Sequence, residues 1–357
     1  MANISLSAAT KNNTTSSFTY EAARNVSISW SVAPVISLVT LTVGVTGNGG
    51  LIVLFIHDRA TLITPFNVYV LNLMVANLLH LINVYPLDVI VGLYSGTWVL
   101  GRSACAFFLY GVWLPGCASS VAHSLIAVNR IWAVIFPHSY RTQHGMRAAV
   151  MVCLSMWAII YSVTLPWLVL DQVLYRIPVE NGPAECSVNQ SAQFAYSMVI
   201  EFTLFNFPLI ATVLALPVIL YATWRNRRLN ARRVGNTISR GGHPLRTLAQ
   251  SATDAEHEPN SSAVVPSVKR IARPKSNATL LLVLLTVSLM VTYVPTSAIY
   301  TAAAFLPDYD WTEAYLETAV TAPFQPAIDP ILFALALTNV RTALVNVLTR
   351  SHPRGRT

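Results

Sequence analysis

Apolar residues in this chain gather into seven long runs, at approximately 33–56, 66–93, 102–135, 147–170, 193–224, 276–305 and 312–336, with charged and Gly-, Pro- or Ser-containing segments between them. A helix of about 20 apolar residues crosses about 30 Å of hydrocarbon at about 1.5 Å per residue. Every run meets that length, and the longer ones are expected to tilt or to emerge from the bilayer. The apolar residues are continuous and do not alternate with polar ones, so a β-barrel is excluded; helices are then what satisfies every backbone N–H and C=O in lipid. After the seventh run, Asn339 to Arg350 places Val340, Leu344, Val347 and Leu348 along one helical face, the pattern of a helix lying on a membrane surface. The expected fold is all-α: a seven-transmembrane helix bundle over 33–337, a polar N-terminal tail at 1–32, and a short C-terminal amphipathic helix and tail at 338–357.

Composition supports lipid as the surroundings. Of 357 residues, 54% are hydrophobic and only 11% charged, with a mean hydropathy of +0.52, whereas a soluble domain carries about 25% charged residues. Four of the 23 Lys and Arg residues, Lys11, Arg24, Arg102 and Arg176, fall on the side of the N-terminus. The rest crowd the opposite side, most densely at Arg225, Arg227, Arg228, Arg232, Arg233, Arg240 and Arg246 and again at Lys269, Arg270, Arg273 and Lys275. Basic loops stay cytoplasmic, so the expected topology has the N-terminus outside and the C-terminus inside the plasma membrane. Asn-x-Ser/Thr glycosylation acceptors at Asn3, Asn12, Asn13 and Asn25 in the tail, and at Asn189 before the fifth run, agree with that orientation. The polar N-terminus shows no cleavable signal, leaving the first run as anchor, and the basic segment 226–268 reads as a mobile inner loop.

The net charge of +8 follows the loops and forms no compact basic face, which points to membrane lipid and not to nucleic acid. A transporter or channel would show an internal repeat or a path of paired ionisable residues. Intramembrane hydrolysis would need His-Glu-x-x-His or paired aspartates, and neither occurs, so no enzyme is expected.

Seven helices alone specify no function, and the polar residues, prolines and cysteines inside them carry the rest. Run one holds Gly47-Asn48 and run two Leu73-Met74-Val75-Ala76-Asn77. Run three begins near Cys105 and ends with Asn129-Arg130-Ile131, before Pro137; run four has Trp157 and run five Pro208. Run six has Tyr293-Val294-Pro295, and run seven Asp329-Pro330-Ile331-Leu332-Phe333. In this order, with 25 residues from Cys105 to Arg130, the chain resembles the rhodopsin-like (class A) G-protein-coupled receptors over about 33–350, without pointing to a subfamily. The resemblance implies a disulfide between Cys105 and Cys186, and likens Trp98 and Gly101 to the family's first outer loop. It implies that Arg130 is the switch that meets the G protein, that Pro295 and Pro330 are hinges, and that arrestin is a further partner. Cys117 and Cys153 lie inside apolar runs and read as packing residues.

Three departures from that family stand out. Asn129 replaces the acid beside the switch arginine, Ile131 the aromatic after it, and Lys275 an acid near the foot of run six. With no ion pair in prospect, Arg130 is expected to be weakly restrained and the receptor to signal basally. Second, Asn77 stands where the family has Asp and Asp329 where it has Asn, an exchange that resembles the gonadotropin-releasing-hormone receptors. An ionised Asp at the centre of a span costs about 2.5–3.5 kcal/mol, so Asn48, Asn77, Ser119 and Gln325 are expected around Asp329, with sodium as the one candidate cofactor. Third, Tyr293 replaces the usual Trp before Pro295, and Phe333 the usual Tyr of run seven, altering the hinge.

By position relative to these anchors, the outer cavity is expected to be lined by Val112, Trp113 and Gly116 on run three and by Tyr293, Thr296, Ser297 and Tyr300 on run six. Asp88, Glu201, Tyr315 and Glu317 are further candidates. Val112 occupies the place where aminergic receptors carry an ammonium-binding Asp, which argues against a biogenic amine, and no interior lysine is present for a retinal Schiff base. The acids of the upper half favour a cationic ligand or a basic peptide. The expected function is transduction of such an extracellular ligand to heterotrimeric G proteins; the alternatives are a non-signalling receptor-like scaffold and, more remotely, a transporter.

Overall fold

The structure, a computed structural model, describes residues 28–176, 186–240, 278–306, 309, 311 and 322–350. Five helices within it are long and apolar enough to cross a membrane unbroken: Val32–His57, Pro65–Leu93, Gly101–Ile135, Met146–Tyr175 and Phe194–Asn226. They are spans one to five. Span six is Ala278–Thr292 followed by Val294–Phe305, bent by 41° at Tyr293. The described part of span seven is a 3-10 turn, Ala322–Phe324, leading into Gln325–Ala336. A last helix, Thr338–Arg350, turns away from span seven by 94°, across its axis. This is the seven-helix bundle that the apolar pattern required.

Local chemistry explains several of these boundaries. Thr64 caps span two by accepting from the Asn67 backbone N–H, and Pro65 follows at the first helical position, where its missing N–H is no loss. Span six breaks at Tyr293 because Pro295 cannot donate the bond that would continue the helix. Span five contains a π-helical turn, Glu201–Asn206, between Phe194–Ile200 and Phe207–Arg240. Its helix runs on to Arg240, so the early part of the segment expected to be mobile is helical, in keeping with its Arg, Leu and Ala content.

Span three is the hub. Half of its apolar window is buried, against a third or less in the other unbroken spans. One apolar cluster runs through all seven spans, and a second lies around Cys105, Trp98 and Phe108. A third, Ala127, Ala215, Ile219 and Leu282, joins spans three, five and six, with Ile131 packed on it. Outward-facing Val53, Ile56, Met151, Leu154, Ile210 and Leu214 are exposed, as a lipid-facing surface requires. In the last helix Val340 and Ala343 are buried against the bundle, with Leu344 half-buried. Val347, expected on the same covered face, is exposed.

Candidate functional site

Midway along the bundle, spans two, three, six and seven converge on Asp329, which is fully buried. Its carboxylate accepts from Asn77 Nδ2 at 2.8 Å and from Gln325 Nε2 at 2.7 Å. His123 of span three approaches both oxygens, with Nε2 3.2 Å from Oδ1 and 3.1 Å from Oδ2. The amide oxygens are also engaged: Ser119 Oγ donates to Asn77 Oδ1 at 2.7 Å, and Ser288 and Thr292 of span six donate to Gln325 Oε1 at 2.7 and 2.6 Å. A buried charge is tolerated when donors surround it in this way. Asn77 and Gln325 thus meet Asp329 directly, and Ser119 reaches it through Asn77.

Asn48 requires a correction. Its Nδ2 donates to Gly44 O at 2.8 Å and to Pro326 O at 2.7 Å, and not to Asp329. Pro330 lacks the N–H that would occupy the carbonyl four residues earlier, which is Pro326, and Asn48 supplies the missing donor. The two spans meet closely there: a Cβ on Gly47 would lie 2.7 Å from the Pro330 ring. Phe333, one turn on, is fully buried in the core.

Toward one end of the bundle, the Arg130 guanidinium lies 3.1 Å from the centre of the Phe66 ring at the start of span two, and its Nε has no hydrogen-bond partner. Among the described residues no acid pairs with it; Lys275 lies outside them. Beside it, Asn129 Nδ2 donates to His144 Nε2 at 2.9 Å, and Tyr140 donates its hydroxyl to Asn129 Oδ1 at 3.2 Å. Tyr140 and His144 stack at 4.4 Å, with Trp132 edge-on to both. Burial, and secondarily the Arg130 charge, hold the His144 imidazole below its ordinary pKa. Burial raises the Tyr140 phenol.

At the other end, Cys105 and Cys186 form a disulfide that ties the loop after span four to the start of span three. Asp171, fully buried, holds this loop by accepting from Arg176 Nε at 2.7 Å and from the Asn189 backbone N–H at 2.8 Å. Asn189 donates through Nδ2 to Tyr175 O, and its Oδ1 accepts from Ser191 Oγ and Ala192 N. Below the loop, Trp113 packs edge-on against Trp167 at 4.7 Å and Phe205 at 5.8 Å. Glu201, the first residue of the π-helical turn, is 7% exposed and has no hydrogen-bond partner among the described residues.

Residues 47–333 match the family described as 7 transmembrane receptor (rhodopsin family). The chain belongs to that receptor family. It is similar to the 5-hydroxytryptamine receptor 1B of Equus caballus, 30% identical over 74% of this chain and 64% of that protein. The human receptor of the same name is 30% identical over 68% and 58%, and that of Didelphis virginiana 27% identical over 68% and 59%. The chain thus spans about three-fifths of the length of these curated relatives.

Within the receptor, the residues assigned to the cavity divide. Ser297 donates to Asn206 Oδ1 at 2.5 Å, so it bridges spans six and five. Val112 packs in the cluster around the disulfide, and Gly116 faces His80 of span two. Asp88 is half-buried near the end of span two, while Thr296, Tyr300 and the hinge residue Tyr293 are half-buried on span six. Tyr315, Glu317 and the acceptors Asn3, Asn12, Asn13 and Asn25 lie outside the described residues. Four residues of the receptor's polar and cationic sites escaped the sequence reading: His123, Ser288, Thr292 and Phe66. His123 had a signal, since it lies four residues after Ser119 and seven before Arg130, on one helical face. Phe66 had none, because an aromatic at the start of an apolar helix carries no chemical mark.

Proposed function

We propose that this protein is a plasma-membrane receptor, with its N-terminus outside and its C-terminus inside, that passes binding of an extracellular cationic ligand to a heterotrimeric G protein. The observation that carries this reading is the hydrogen-bonded chain from Ser288 and Thr292 through Gln325 and Asp329 to Asn77 and His123. It joins the broken spans six and seven to span three, which carries Arg130, so a shift of the hinged spans is felt at the arginine. The Arg130 end is then the inner face, where G protein and arrestin bind, and basic residues of span five and the last helix meet anionic lipid there.

Glu201 supports a cationic ligand. A buried acid without a hydrogen-bond partner among the described residues, four positions before Phe205 of the Trp113 and Trp167 cluster, suits a protonated amine or a basic side chain. The relatives named above are receptors for 5-hydroxytryptamine, an amine, but Val112 offers no charge to an ammonium, which leaves Glu201 to do so. The test is nucleotide exchange on a panel of G proteins, and arrestin recruitment, with 5-hydroxytryptamine, other amines and basic peptides. Activation by a cation, lost in Glu201→Gln, is the expected result. Silence on every G protein, with and without ligands, would favour the non-signalling scaffold.

A further inference from the structure

The polar core around Asp329 does not fit a metal ion. Sodium binds through oxygen lone pairs, whereas Asp329 meets N–H donors from Asn77, Gln325 and His123. The two amide oxygens within the cluster are engaged, Asn77 Oδ1 accepting from Ser119 and Gln325 Oε1 from Ser288 and Thr292; Asn48 Oδ1 is buried without a partner, a single neutral oxygen. Asn48 is turned to the Pro326 and Gly44 carbonyls. An entering ion would have to reverse both amides and break the link between spans six and seven.

His123 completes the exclusion. Its Nδ1 lies 2.8 Å from the Ser119 carbonyl oxygen, while its Nε2 bridges the two carboxylate oxygens. Both ring nitrogens face acceptors, so the ring donates at each end and sits against the carboxylate as a resident counter-group. We propose that His123 stands in place of sodium at Asp329, and that this receptor's polar core is indifferent to the ion. His123 acts as a positioning residue: it holds Asp329 against span three.

Thermal unfolding of the full-length receptor in nanodiscs, in sodium chloride and in N-methylglucamine chloride at equal ionic strength and pH, tests this directly. The wild-type midpoint should be the same in both salts. His123→Ser, which removes the ring and adds an oxygen, should gain a sodium-dependent rise of about 2 °C or more. His123→Gln, which keeps an N–H donor, should stay indifferent. A sodium-dependent rise in the wild type overturns the proposal and needs no variant to read. A folded His123→Ser without such a rise overturns the role of His123. Neither outcome depends on ligand or G protein, so the receptor reading is judged separately.

Discussion

Arg130 illustrates how one side chain can be restrained without an opposite charge. Loss of the neighbouring acid suggested a loose arginine, yet the guanidinium lies over the Phe66 ring, and a desolvated contact of this kind contributes about 2 kcal/mol. Phe66→Leu keeps the apolar volume and removes the quadrupole, so ligand-free nucleotide exchange should rise several-fold, while Phe66→Tyr should stay near wild type. Equal basal rates in Phe66→Leu and wild type would show that the ring restrains nothing. His144 adds a pH dependence beside it. It accepts from Asn129 only when its Nε2 is unprotonated, and its folded pKa is depressed, so its contribution is present above about pH 6.5 and lost as pH falls toward the folded value. Trp132 is edge-on to this ring at 5.7 Å. Its fluorescence, taken as the difference from Trp132→Phe, should be quenched as pH falls through the lowered folded pKa, on the acid side of the ordinary imidazole value, and become flat in His144→Gln.

Between helices, the same economy appears where prolines open the backbone. Pro330 leaves the Pro326 carbonyl without a helical donor, and Asn48 reaches across from span one to supply it. Asn48→Ala should therefore destabilise the receptor by about 1–3 kcal/mol, the cost of a buried acceptor left unmet, read as a lower unfolding midpoint. Asn48→Ser should lose less if its hydroxyl still reaches that carbonyl. Spans two and seven are joined through Asn77 and Asp329. Asp329→Asn faces three N–H donors with a single acceptor oxygen and should impair ligand-stimulated exchange. Adding Asn77→Asp returns the carboxylate to the cluster and should restore part of it. Strictly additive losses would show that the two spans are not joined here.

At the level of the entire chain, the proposed topology places the N-terminus and the basic loop on opposite sides of the membrane. Antibodies on unpermeabilised cells should stain an N-terminal epitope tag and not a C-terminal one; staining of both would overturn the orientation. What was legible beforehand follows from properties each segment carries alone. Bilayer thickness sets the length of an apolar helix, so seven spans could be counted from the residues. Pro295 marked the break in span six because a proline lacks its N–H wherever it lies, and Cys105, Arg130 and Asp329 could be singled out by type and order. Partnership was another matter. Asn48 was expected beside Asp329 and serves a proline-freed carbonyl, while His123, unremarked in its apolar run, faces the carboxylate. Phe66, indistinguishable from any core aromatic, covers the arginine. Side chains on different spans meet only when crossing angles and rotations bring them within about 3 Å, and those are decided by the packing of all seven helices together.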